Sequence, residues 1–287
     1  MAAASAGCYG ARQYVSPVRS VLSRAEHDEA LLYDRSAYQE MRGRGINIRY
    51  PHLLTFDLGT TFSTALCAFD NTRGAPPWYP LGRRQDNAFR RLAGICDENA
   101  VFATLPTAAR HEPAYKPPFS GEALWEIPID LGVYNELILA QLAETLGPCG
   151  GSERLVELGS RYGEIAGLAV GTFRQYLLQL RDRYLSELAR RLEDELAVYG
   201  AEPEWWAADI SLYLEQIEAE RSNPSSVVPR ELELLTHEGE RPQPDGAIPI
   251  MQSYYRRYGE LLAAWPRIRQ AACELNAAGI DDSVVGK

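Results

Sequence analysis

Lysine is almost absent from this 287-residue chain, which carries Lys116 and Lys287 against 27 arginines. With a net charge of −10 and a pI near 5.0, the composition argues against general nucleic-acid binding, because neutralising a phosphate backbone needs a basic surface. The arginine bias reads as the mark of a GC-rich coding sequence rather than of a binding need. No apolar run approaches the length of a membrane span, so no membrane partner is expected and the chain reads as soluble. Cysteine is scarce and scattered: Cys8, Cys67, Cys96, Cys149 and Cys273 are odd in number and form no C-x-x-C pair. That excludes a disulfide framework and a cysteine-based metal knuckle, and fits reduced cytosol. His27, His52, His111 and His237 are equally dispersed, with no His-Glu-x-x-His among them.

What the chain does have is an aspartate-led turn between two apolar runs, Leu53-Leu54-Thr55-Phe56-Asp57-Leu58-Gly59-Thr60-Thr61-Phe62-Ser63-Thr64-Ala65-Leu66-Cys67-Ala68-Phe69. Both flanks favour extended structure, and Gly59 is free to adopt the backbone angles of a tight turn, so strand, turn and strand is the expected order. In such a turn the backbone N–H groups converge on an anion. The hydroxyls of Thr60 and Thr61 donate to its oxygens, and Asp57 holds a Mg²⁺ through water. The plain alternative is an ordinary hairpin with two surface threonines.

Asp57 to Ser63 resembles the first phosphate loop of the 70-kDa heat-shock chaperones and the wider actin-like ATPase superfamily, Asp-Leu/Phe-Gly-Thr-Thr-Tyr/Phe-Ser. Two later segments are similar to lobe I of divergent members, in the same order. One runs from Phe173-Arg174-Gln175-Tyr176-Leu177 to Leu192; the other is Trp265-Pro266-Arg267-Ile268-Arg269-Gln270-Ala271-Ala272 leading to Ala278-Gly279-Ile280. The resemblance implies an α/β fold, a ribonuclease H-like or actin-like lobe with a mixed sheet and packed helices. It also implies ATP and Mg as cofactors, contacted by Asp57, Gly59, Thr60, Thr61 and Phe62. A lobe I lysine that polarises the γ-phosphate corresponds to Lys116; read from the residues alone, Lys116 is a lysine in a loop bounded by Pro113, Pro117 and Pro118.

The chain also departs from the family. The second phosphate loop, Asp-x-Gly-Gly-Gly-Thr, and the adenosine-binding glycines of lobe II have no counterpart, and Trp205 to Leu214 stands where a strand ending Val-Pro-Ala is expected. Phosphoryl transfer gathers charges from both sides of the nucleotide. An incomplete lobe is therefore expected to bind ATP and to hydrolyse it poorly unless a second lobe or protein partner supplies the rest. The alternatives are a non-catalytic interaction protein that keeps the lobe as a scaffold, and an unrelated, mostly helical assembly protein.

Periodicity and punctuation divide the chain further. Residues 1–48 read as an N-terminal extension, partly disordered, with a surface helix within Ser23 to Arg44; residues 49–287 read as the lobe. The first 25 residues contain arginine, serine and alanine but no acid, which leaves a mitochondrial transit peptide as the alternative to a cytoplasmic arm. Apolar residues at helical spacing predict one helix within Ile129 to Leu146 and a long one from Ala166 to Tyr199, stopped by Gly200 and Pro203. Ile95 to Leu105 is expected to supply strands, and Ser222 to Pro249, dense in proline, serine and glycine, reads as a linker-like loop over 222–249.

Overall fold

The computed structural model describes residues 2–11, 18–23, 32–44, 46–49, 53–57, 67–72, 74–80, 84–111, 119–127, 129–147, 150–229, 231–232 and 244–279. They form a mixed α/β structure dominated by helix, with a small sheet near the N-terminus. Among the described residues no helix is long and apolar enough to cross a membrane.

The sheet is built from β1 (Ala2–Ala11), β2 (Ile46–Arg49), β3 (Thr55–Asp57), β4 (Cys67–Phe69) and β5 (Val101–His111). β1 and β5 run parallel at its centre, Ala3 opposite Phe102 and Ser5 opposite Thr104. β3 lies antiparallel on the outer side of β5, whereas β2 and β4 share the outer side of β1, end to end. The register slips between Ala6 and Gly7, which face Leu105 and Ala108. Pro106 sits in the slip: it has no N–H to give a ladder, so the strand bulges there.

Two expectations change here. The flanks of the aspartate-led turn are strands, but they do not pair with each other: β3 is bonded to β5 and β4 to β1. Because each is antiparallel to one of two parallel strands, β3 and β4 run in the same direction on opposite sides of the β1–β5 pair. A tight turn joins antiparallel neighbours only, so hairpin chemistry read locally was overruled by long-range pairing. Residues 1–48, expected as an extension, contribute the central β1 and parts of the main core. Val18, Val21 and Leu22 of α1 (Val18–Leu22) are buried, as are Leu32 and, in α2 (Arg35–Arg44), Tyr38 and Met41.

One face of the sheet is covered by α3 (Gln85–Cys96), an amphipathic helix with two working sides. Phe89 and Ala93 pack on Ala3, Ala100 and Phe102 of the sheet side. Ala88, Leu92 and Ile95 point the other way, into the main core. Ile95 is thus helical, and a single strand beginning at Val101 replaces the strands expected between Ile95 and Leu105.

The main core is helical. After the short α4 (Glu122–Trp125), α5 (Leu131–Ala143) is capped by Asp130, whose Oδ1 accepts from Val133 N at 2.7 Å. The long helix α7 (Val170–Tyr199) follows the expected period, burying Phe173, Leu177, Leu180, Leu185, Leu188 and Leu192, and ends at Gly200 with φ 75°. α8 (Glu204–Ser222) occupies Trp205 to Leu214, where the family pattern asked for a strand. The linker-like loop was wrong at both ends. Val227, Val228 and Leu232 are buried, and α9 (Pro244–Ala278) already begins at Pro244 and continues through Pro249 and Pro266. Proline interrupts helical bonding, but Ile248, Met251, Tyr255, Tyr258 and Leu262 bury one face of α9 and hold it against that cost.

α9 packs on α6 (Gly151–Ala166) in antiparallel sense: Gly159 meets Gly259 and Ala263, while Gln252 Nε2 donates to Ala166 O (3.1 Å) and Leu168 O (2.7 Å). The backbones touch. A Cβ on Gly159 would lie 2.5 Å from Gly259 O, and one on Gly259 would lie 2.7 Å from Gly159 O, so only glycine permits this crossing.

Candidate functional site

Of the residues that sequence reasoning singled out, only Asp57 has a described backbone. It ends β3, opposite Phe102. Gly59, Thr60, Thr61, Phe62 and Lys116 lie outside the described residues, so the expected nucleotide contacts are not brought together on the described part of the fold. Among the described residues no three of His, Cys, Asp and Glu gather as a metal-binding group.

The cavity of note lies where α3 and the 74–76 segment meet α6 and α9. It encloses about 290 Å³ and is lined by Gly74, Cys96, Asp97, Gly151, Ser152 and Arg269, among others. The Arg269 guanidinium lies against Gly74, where a Cβ would be 1.5 Å from its Cζ, and Gly74 has φ 78°. Trp265 Nε1 donates to Ala75 O at 2.8 Å and Arg154 Nη1 to Ile95 O at 2.7 Å. Burial pushes the Cys96 thiol up to about 12, Asp97 adds to the rise, and Arg154 and Arg269 oppose it. A thiol that stays protonated at neutral pH is a poor nucleophile. The side chains around this cavity brace the helix ends.

Buried polar groups elsewhere are also held by structural partners. Arg84 precedes α3 in a left-handed conformation, φ 63°. It contacts Glu136 Oε2 at 3.0 Å, Asp130 Oδ2 at 3.7 Å, and lies over the Tyr184 ring at 6.0 Å. Burial alone would lower its affinity for a proton, but Tyr184, Glu136 and Asp130 reverse this and keep it charged. Tyr184 in turn accepts from Arg19 Nη1 at 2.7 Å, tying α1 to α7. Asp209 on α8 accepts from Tyr38 OH at 2.7 Å and from Arg42 Nη1 at 2.6 Å, and the indole N–H groups of Trp205 and Trp206 donate to Leu32 O and Leu22 O, both at 3.0 Å. Arg181, 3 % exposed, donates to Asn223 O (2.7 Å) and Arg221 O (3.0 Å), closing the C-terminal end of α8. The sequence offered no signal for these pairs, because partners such as Tyr38 and Asp209 stand 171 residues apart.

Six tyrosines, Tyr79, Tyr134, Tyr162, Tyr254, Tyr255 and Tyr258, gather between α5, α6 and α9. Tyr79 and Tyr162 each meet Tyr258 edge-on (5.0 and 5.1 Å), while Tyr162 stacks on Tyr255 at 6.1 Å. Tyr162 OH donates to Asn135 Oδ1 at 2.6 Å and Tyr134 OH to Val227 O at 2.9 Å. Burial and neighbouring tyrosines lift the Tyr79, Tyr162 and Tyr255 hydroxyls well above their ordinary range. These groups lock the core rather than exchange protons.

The chain matches no protein-family model, no curated protein and no solved structure.

Proposed function

We propose that this chain acts as a non-catalytic interaction protein, a mixed α/β scaffold in which the two strands flanking the Asp57 segment, β3 and β4, are not paired with each other. The observation that carries this reading is the placement of β3 and β4 on opposite sides of the β1–β5 pair, running the same way. A grip of the kind the sequence suggested needs its two flanks side by side and antiparallel, so that successive N–H groups converge on one anion. The Tyr38–Asp209 and Tyr162–Asn135 bonds support the same reading, since each joins two helices.

The second reading is the ATP- and Mg-binding lobe of a divergent 70-kDa heat-shock-chaperone-like protein. Asp57-Leu58-Gly59-Thr60-Thr61-Phe62-Ser63 favours it, with Asp57 holding Mg through water and Lys116 beside the γ-phosphate. ATP hydrolysis would then need a second lobe from a partner.

Thermal unfolding with and without millimolar Mg·ATP separates the two. A ligand that binds only the folded state raises its stability, by about 2.7 kcal/mol at 100 times its Kd. The scaffold reading expects no shift. A rise that Asp57→Ala and Thr61→Ala both abolish would overturn it and establish the nucleotide on this segment.

A further inference from the structure

The helix α9 runs past the helix it packs on. Gly259 and Ala263 cross Gly159 of α6, and Arg269 lines one cavity with Gly151 and Ser152, where α6 begins. Beyond that point α9 continues to Ala278, and every residue from Gln270 onward is exposed. The face buried through Ile248, Met251, Tyr255, Tyr258 and Leu262 stops at Leu262. A second apolar line, about a third of a turn round the helix, carries on in its place. It repeats every seven residues: Leu261, Ile268 and Leu275 hold one position of the heptad, and Ala264, Ala271 and Ala278 hold the other. This is the spacing that joins two helices in a coiled coil. Leu261 and Ala264 are half-buried, whereas Ile268 is 44 % and Leu275 64 % exposed, and Ala271 and Ala278 are exposed with them. Apolar side chains exposed in so regular a line mark a contact surface.

The alternation of size along the line says what fits it. In a parallel pair of such helices like residues share a layer, so crowded leucine and isoleucine layers alternate with alanine layers that leave gaps. In an antiparallel pair each large residue lies over a small one: Leu261 over Ala278, Ile268 over Ala271, and Leu275 over Ala264. All three pairings are centred between Arg269 and Gln270, so a single two-fold axis there makes each of them twice. Charge agrees with size. Arg267 and Glu274 are exposed and flank the line on the same side, and the antiparallel arrangement sets each beside the other's counterpart; a parallel one would set Arg267 beside Ala272. Gln270 Nε2 donates to Glu274 Oε1 at 2.9 Å and steadies that carboxylate. Because α6 accompanies α9 only as far as Arg269, the α6 helices of the two copies lie at opposite ends of the paired segment.

We propose that a second copy of this chain docks on the end of α9, the two helices packed antiparallel over Leu261 to Ala278 about that axis. The contact is isologous and therefore closes at two copies. The inference rests on the scaffold reading and names its partner.

The test is the mass of the full-length chain in solution, without nucleotide, by sedimentation and light scattering. The expected result is twice the 32.0 kDa of one chain. Leu275→Glu sets a carboxylate over the partner's Ala264 and is expected to give a monomer that keeps the helical circular dichroism and the unfolding temperature of the dilute wild-type chain, because residue 275 is exposed in one copy. Arg267→Glu and Glu274→Arg each set like charges together and are expected to weaken the dimer by about ten-fold, and the double swap to restore it. These swaps also read the orientation, since a parallel pair would not respond to them. A chain still monomeric at about 200 µM, which puts any Kd in the millimolar range, would overturn the proposal. So would a Leu275→Glu dimer of undiminished affinity, or a double swap that fails to recover. The scaffold reading fails separately, through an ATP-dependent unfolding shift that leaves the mass untouched.

Discussion

The helical body and the sheet solve the same problem of burial to different degrees. α5, α6, α7, α8 and α9 surround a core on all sides, with Trp206, Phe173, Tyr162 and Tyr255 fully buried and their polar atoms directed to carbonyls and amides within the body. The sheet has a much smaller core of Ala3, Phe89, Ala93, Ala100 and Phe102, extended at its edge by Trp78 stacked on Phe89 at 4.0 Å, and its Phe56, Val101 and Leu105 side chains stay exposed. The larger core supplies most of the burial and hence most of the stability, although Val156, Val198 and Leu275 on its helices remain exposed. The smaller core buries less apolar surface and contributes correspondingly less.

The sharpest way to break this comparison is at the α6–α9 crossing. Gly259→Val pushes new atoms into Gly159 O and the Tyr162 Cβ, and overpacking of this kind costs about 1–3 kcal/mol, more where backbone must move. Trp206→Ala empties a fully buried site and strands the Leu22 carbonyl, a loss of about 3–5 kcal/mol. Both are expected to lower the chemical-denaturation midpoint sharply. A helical body that tolerated them would not be the stabilising half.

A milder probe is alkaline titration. Tyr79, Tyr162 and Tyr255 keep their protons in the folded chain well above the ordinary tyrosine range, whereas in the unfolded chain they ionise near pH 10. Above that pH the folded state binds more protons than the unfolded one, so stability is full below about pH 10 and falls as pH rises. Absorbance at 295 nm follows tyrosine ionisation as pH is raised. The buried set should titrate only with loss of helical circular dichroism. A single smooth ionisation without unfolding would contradict the closed core.

The smallest effect belongs to the surface of α7. Arg190 and Arg191 hold the Glu187 carboxyl down at about 2, so its contribution is present above the ordinary glutamate range and lost as pH falls toward 2. Exposed pairs of this type contribute little because water and salt screen them. Glu187→Gln should leave the unfolding temperature at pH 7 almost unchanged, and a large drop would mean that α7 depends on its surface rather than on its buried leucines.

Helices were legible in the sequence wherever one side chain in three or four had to face the same core. The leucine spacing of α7 and the apolar run of α5 located both within a few residues, because helical bonding and side-chain period are local. Gly200 marked the end of α7 for an equally local reason, its positive φ. The prolines of α9 misled in the opposite direction, since their cost is local while the packing that outweighs it, Tyr255 and Tyr258 against α6, comes from residues about a hundred positions away.

The sheet shows the limit more plainly. Both segments around Asp57 were readable as strands, yet which strand each would join was decided by β1 and β5, whose sequences, alanine-rich in one and interrupted by Pro106 in the other, announce little. Of the candidate site, only Asp57 lies among the described residues, at the end of β3. The amino-acid sequence by itself determined charge, composition and the helical segments, which depend on contacts within a few residues. Tertiary structure alone decided strand partners, the inclusion of β1, α1 and α2 residues such as Ala3, Leu22 and Tyr38 in the cores, and the Arg84 and Asp209 junctions, because each arises from groups that only folding brings together.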